Sequence, residues 1–125
     1  MSDEMTAEEF VASRKKNLYG NTRVVIDGIK FQSKAEGARY ERLRDLQNVG
    51  AIRDLVLQPR YPLVVNNIRV GTYVGDFLYY DALNDQPVLE DVKGVRKEVY
   101  RLKKKLVAAL YAIDITEVEV RDVRR

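Results

Sequence analysis

Two short apolar runs, Arg23-Val24-Val25-Ile26 and Ile29-Lys30-Phe31, flank Asp27-Gly28. An Asp-Gly pair between such runs is a strong hairpin signal, so a small β-hairpin is predicted there. Ser33 then precedes Lys34-Ala35-Glu36, an S-x-x-E capping box that opens a helix. Ala35, Ala38, Leu43 and Leu46 carry helical apolar spacing to about Asn48, and Gly50 stops the run. Three stretches with strand character follow: Ile52 to Gln58 continuing past Pro59 to Val65, then Ile68 to Tyr80, then Val88 to Lys93. Asn66-Asn67 and Asn84-Asp85 read as the turns between them. A second helix is predicted from about Lys97 to Tyr111, with Val99, Leu102, Leu106, Ala109 and Leu110 as its apolar face. A last strand runs from Ile115 to Val120.

After the hairpin the order is therefore α, β, β, β, α, β. Short connections let the early strands pair antiparallel, whereas the last one needs a helical crossover, so an α/β fold with a central mixed sheet flanked by helices is expected. A chain of 125 residues suits one domain. Residues 1–18 are polar and mixed in charge, and read either as a short helix from Thr6 or as an arm; residues 19–125 form the domain proper.

Composition narrows the chemistry. The chain has no cysteine and no histidine, which excludes disulfides, thiolate catalysis, the Ser-His-Asp triad and every imidazole metal site. Carboxylates, lysine, tyrosine, hydroxyls or a hard cation remain. The start MSDEMTAEEF lacks the basic and apolar parts of a secretory signal, and no apolar run reaches membrane length, so a cytoplasmic protein with no membrane partner is expected. Net charge is only +3, but Arg96, Lys97, Arg101, Lys103, Lys104 and Lys105 cluster against the single acid Glu98. Such a cluster fits either a solvated helix face or phosphate neutralisation.

Two acids lie where the pattern is apolar. Asp76 sits within Val74-Gly75-Asp76-Phe77-Leu78, and Asp91 within Val88-Leu89-Glu90-Asp91-Val92-Lys93-Gly94. An ionised carboxylate in apolar surroundings must be paired, protonated or bound to metal. Strand alternation puts Asp91 and Lys93 on one face and Glu90 and Val92 on the other, so antiparallel pairing of the two strands brings Asp76 and Asp91 together beside Lys93. Two carboxylates with retained waters suit Mg²⁺, which can polarise a phosphodiester and activate water. Lys93 would orient that water. Glu36 is either a third carboxylate of this site or the partner of Ser33 in the capping box. Glu41 is a spare candidate with solvent exposure as its alternative. Gln58 reads either as a contact to the attacking water or the backbone, or as a buried residue with ordinary hydrogen bonds, and Tyr79 and Tyr80 read as core and surface residues.

Gly75-Asp76-Phe77 followed by Glu90-Asp91-Val92-Lys93-Gly94 resembles the PD-(D/E)xK nuclease signature, with Asp76 fifteen residues before Asp91. Ser33-Lys34-Ala35-Glu36 resembles its acidic first motif, and the α-β-β-β-α-β order its common core. Tyr19-Gly20-Asn21, Gly28 through Glu36 and Leu57-Gln58-Pro59 are similar to short phage and prophage proteins of that superfamily, some described as Holliday junction resolvases. The likeness spans about residues 19 to 120 and departs in having Gly75 where the signature has proline.

The resemblance implies a restriction-endonuclease-like core and a metal-dependent endonuclease, with Asp76, Asp91, Glu36 and Lys93 as catalytic residues. Mg²⁺ would be held by the three acids, with Mn²⁺ able to substitute. Branched DNA, specifically a four-way junction, is the expected substrate and a homodimer the expected assembly, in a bacterial or phage-infected cell. Lys97, Arg101, Lys104 and Lys105 would contact the phosphate backbone. The alternatives are a nickase, restriction-like or recombination nuclease on the same fold, and a DNA-binding module without catalysis.

Overall fold

The computed structural model describes residues 22–93 and 96–125. The arm of residues 1–18, the Tyr19-Gly20-Asn21 string and Gly94 lie outside them. Strands β1 (Val24–Ile26) and β2 (Ile29–Phe31) form the expected hairpin, and Asp27 and Gly28 at its turn both adopt positive φ. Helix α1 (Lys34–Asn48) starts at Ser33, whose hydroxyl accepts the Glu36 N–H at 3.1 Å, and ends at Val49 with Gly50 at φ 80°.

Six strands and one helix follow: β3 (Ile52–Leu57), β4 (Arg60–Val65), β5 (Ile68–Val74), β6 (Phe77–Asp81), β7 (Gln86–Lys93), α2 (Glu98–Tyr111) and β8 (Ile115–Glu119). The central sheet has the order β3-β6-β7-β8, antiparallel except for the parallel pair β7–β8 that α2 connects. The fold is thus α/β with a mixed four-stranded sheet, two helices and an N-terminal antiparallel hairpin; the expected α-β-β-β-α-β order holds for the elements of the central sheet, with β4 and β5 inserted between β3 and β6.

The two long strand stretches expected at 52–65 and 68–80 are each broken, and their inner halves pair with each other as a separate hairpin, β4–β5. Gln58, at φ 51°, turns the chain before Pro59, whose ring cannot donate to a ladder. Gly75 and Asp76 make the matching break opposite. Gly75 donates its N–H to Pro59 O at 2.9 Å, and Gln58 donates to Asp76 O at 2.9 Å. A Cβ on residue 75 would stand 2.8 Å from Leu89 Cδ1 and 3.3 Å from Pro59 and Tyr73, so a larger residue would force the Leu89 side chain to move.

Side-chain alternation divides the core. Phe77, Tyr79, Val88 and Val92 meet Tyr40 and Leu43 of α1 on one face, while Leu78 and Leu89 meet Tyr100 and Val107 of α2 and Leu63 and Tyr73 of the β4–β5 hairpin on the other. The apolar face expected for α2 is not the one buried. Tyr100 and Val107 are buried and Leu106 is half-buried, whereas Val99, Leu102 and Leu110 are exposed. Polar tethers accompany this rotation. Lys103 donates to Thr72 O at 3.0 Å, Tyr100 to Glu117 at 2.7 Å and Tyr111 to Pro62 O at 2.6 Å.

Candidate active site

Strand β6 begins at Phe77, paired with Glu90. One residue earlier the chain has already veered away toward the β4–β5 hairpin, so Asp76 stands at a bend rather than within a strand as expected. Its N–H still reaches Glu90 O at 3.1 Å, and its Oδ2 accepts the Val92 N–H at 2.7 Å. Asp76 thereby lies at the open end of β6, beside β7 and between the two faces of the sheet.

Asp91 and Lys93 share the α2 face of β7, as alternation requires. Asp91 is 4% exposed; its Oδ1 lies 3.1 Å from Lys93 Nζ and its Oδ2 accepts from the Tyr73 hydroxyl at 2.5 Å. The Lys93 ammonium sits 4.0 Å above the ring centre of Tyr100, a cation–π contact that fixes where it points. Glu36 arrives from the other side of the sheet, on the first turn of α1, and lines a pocket with Lys30, Gln58 and Asp76.

Electrostatics show how closely these acids are packed. Burial, then the charges of Asp91 and Glu36, push the Asp76 carboxyl up to about 8, against the opposing pull of the Val92 N–H. Burial raises Glu36 as well, with Asp91 adding to it, while the Gln32 N–H and Lys93 work the other way. The Glu36 carboxylate feels the charges of Asp91 and Lys93, and the backbone N–H that acts on it is that of Gln32 rather than the Ser33 N–H of a reciprocal capping box; Ser33 caps α1 through the Glu36 N–H.

The donors present, the carboxylates of Glu36, Asp76 and Asp91, are hard oxygens, which fit a divalent cation such as Mg²⁺ in kind. Among the described residues no group of three acids forms a ready-made cage. Asp91 has both oxygens engaged by Lys93 and Tyr73, and Asp76 has one engaged by a backbone N–H. The fit thus rests on the chemistry of the donors.

Of the four cations expected on the phosphate-facing side of α2, Lys97, Arg101 and Lys105 are exposed and make no ion pair among the described residues. Lys104 is half-buried and pairs with Glu117 at 3.2 Å. Nearby, Arg96 pairs with Glu117 at 2.8 Å and also with Glu119. Although burial opposes it, hydrogen bonds from Tyr100, Arg96 and Lys104 hold Glu117 down at about 2.

Sequence reasoning missed Tyr73, Tyr100 and Glu117. Glu117 alone had a signal, since strand alternation in Ile115-Thr116-Glu117-Val118 places it beside Asp91 once the β7–β8 register is known. Tyr79 is buried as expected and its hydroxyl bonds Glu90, while Gln58 is exposed at the pocket and Tyr80 is half-buried.

The fold and site define an α/β protein whose mixed sheet gathers three acids and a lysine at the end of its two central strands. Residues 15–122 match the family described as Protein of unknown function (DUF1064), and the chain belongs to that family. No curated protein matches the chain. No helix among the described residues is long and apolar enough to cross a membrane.

Proposed function

We propose that the chain is a Mg²⁺-dependent endonuclease of the PD-(D/E)xK type that hydrolyses phosphodiester bonds in branched DNA, with the four-way junction as its substrate. One observation carries this reading: Asp76 lines a pocket with Glu36 of α1 and is bonded to β7 on either side of Asp91, through Glu90 O and the Val92 N–H, while Asp91 pairs with Lys93 at 3.1 Å. Bringing buried carboxylates into one neighbourhood is costly unless a cation joins them.

When bound, Mg²⁺ would polarise the scissile phosphate and lower the pKa of an attacking water. Asp76, Asp91 and Glu36 supply oxygen donors. Lys93, held by Asp91 and by the Tyr100 ring, orients the water and offsets charge growing on the phosphoryl oxygens. The water oxygen bonds to phosphorus and the P–O bond to the leaving sugar breaks. Lys97, Arg101 and Lys105 track the phosphate backbone, with Lys104 available only if it leaves Glu117. A four-way junction is near two-fold symmetric and needs two nicks, which favours a homodimer. A DNA substrate of this kind puts the reaction in the cytoplasm of a bacterial or phage-infected cell.

The test is cleavage of a four-way junction and of a matched linear duplex with Mg²⁺ or Mn²⁺. Cutting of the junction in preference to the duplex is expected. A duplex cut equally well would leave a nuclease of the nickase or restriction-like kind. Binding without cleavage of junction, flap or duplex in either metal would leave only a DNA-binding module.

A further inference from the structure

On the opposite face of β7 from Asp91 lies a second buried charge. Glu90 is 1% exposed, and Arg39 of α1, 8% exposed, meets it with a two-pronged contact: Nε to Oε1 at 2.7 Å and Nη2 to Oε2 at 2.6 Å. The Tyr79 hydroxyl also donates to Glu90. The remaining nitrogen of Arg39, Nη1, donates to Arg125 O at 2.6 Å and Val123 O at 3.4 Å. Burying two charges is expensive, and an apolar pair of similar volume is often no less stable, so stability alone does not account for the pair.

Direction does. The other buried residues of α1, such as Ala38, Tyr40 and Leu43, present mainly apolar surface to the sheet, and apolar packing tolerates sliding because it is non-directional. A guanidinium fork on a carboxylate admits one distance and one angle. Its ends fall next to the acids of the site. Arg39 is one helical turn after Glu36, and Glu90 precedes Asp91 and accepts the Asp76 N–H on its carbonyl.

We infer that the Arg39–Glu90 pair is the positioning element of the site, locking α1 on β7 so that Glu36 is held against Asp76 and Asp91. This rests on the reading that those three acids together hold a divalent cation.

The test compares wild type with Arg39→Met/Glu90→Leu, which leaves neither charge buried alone, and with Arg39→Lys, which keeps the charge and removes the fork. The readouts are Tm, Tb³⁺ affinity from luminescence excited through the protein's tyrosines, and kcat and KM on a cleaved DNA substrate. The double variant is expected to melt cooperatively near the wild-type Tm, yet to drop about 10- to 100-fold in Tb³⁺ affinity and kcat with KM for DNA unchanged, the range typical when a group that orients a metal ligand is removed. Arg39→Lys is expected to fall between the two. A double variant with wild-type Tb³⁺ affinity and kcat would overturn the positioning role alone. A wild-type protein that binds no Tb³⁺ and cuts nothing would overturn both this and the nuclease reading.

Discussion

The Oδ2 atom of Asp76 accepts the backbone N–H of Val92 at 2.7 Å, so a side chain bonds a strand amide at the point where β6 has run out. The carboxylate is held near the plane of the sheet, where it can face Glu36 on one side and Asp91 on the other. Asp76→Asn keeps an acceptor for that N–H and removes the charge, whereas Asp76→Ala leaves the N–H unmet. Both are expected to abolish cleavage with DNA binding retained, and Asp91→Ala likewise. Only Asp76→Ala should open the ladder end, at a cost of about 1–2 kcal/mol in denaturant titrations. Full cleavage by either aspartate variant would remove that residue from the mechanism.

Asp76 also sets a pH dependence. Burial and its acidic neighbours raise its folded-state pKa to about 8, against an ordinary value of 3.8. Between those values the folded chain binds more protons than the unfolded chain, so stability is expected to fall as pH rises. Calorimetry from about pH 5 to about pH 8 without divalent cation should show a declining Tm, and Asp76→Asn or added Mg²⁺ should flatten the decline. An equal slope in wild type and Asp76→Asn would refute it.

Lys93→Ala is expected to abolish cleavage while cation binding persists. Tyr100→Leu removes the ring beneath the ammonium and its bond to Glu117, and should lower kcat by roughly 10-fold, with a smaller effect on KM. Single-turnover cleavage measures both. Unchanged kcat in Tyr100→Leu would mean that the ring does not steer Lys93.

The basic cluster divides by partner. Replacing Lys97, Arg101 and Lys105 with alanine should weaken binding to all DNA and reduce the salt slope of log K by about one unit for each phosphate no longer neutralised. Lys104→Ala removes a partner of Glu117 and should alter stability more than affinity. Fluorescence anisotropy across a salt series separates the two classes. A triple variant with the wild-type slope would place the DNA elsewhere.

Gly75→Pro deletes the N–H to Pro59 and crowds Leu89. A destabilisation of about 2–4 kcal/mol is expected by chemical denaturation. Unchanged stability would show that the crossing of β3–β4 over β5–β6 relaxes freely.

Much of this molecule is local and therefore readable from the chain. Asp27-Gly28 dictates the first hairpin, Ser33 caps α1 through the Glu36 N–H, and period-two alternation puts Asp91 with Lys93 and away from Glu90. Such patterns depend on neighbours a few residues apart. Pro59 and Gly75 are residues that interrupt strands, but that the breaks at Gln58-Pro59 and Gly75-Asp76 face each other is not legible in this way, because it is set by reciprocal bonds between groups far apart in sequence. The buried face of α2 departs from its apolar spacing where local pattern has no reach: Lys103, Tyr100 and Tyr111 bond groups many residues away, while Val99 and Leu102 stay exposed. Sequence alone determined which acids are out of place in apolar surroundings. Tertiary structure decided what they meet, since partners such as Tyr73 for Asp91 and Arg39 for Glu90 are set by strand register and helix docking, which no local pattern encodes.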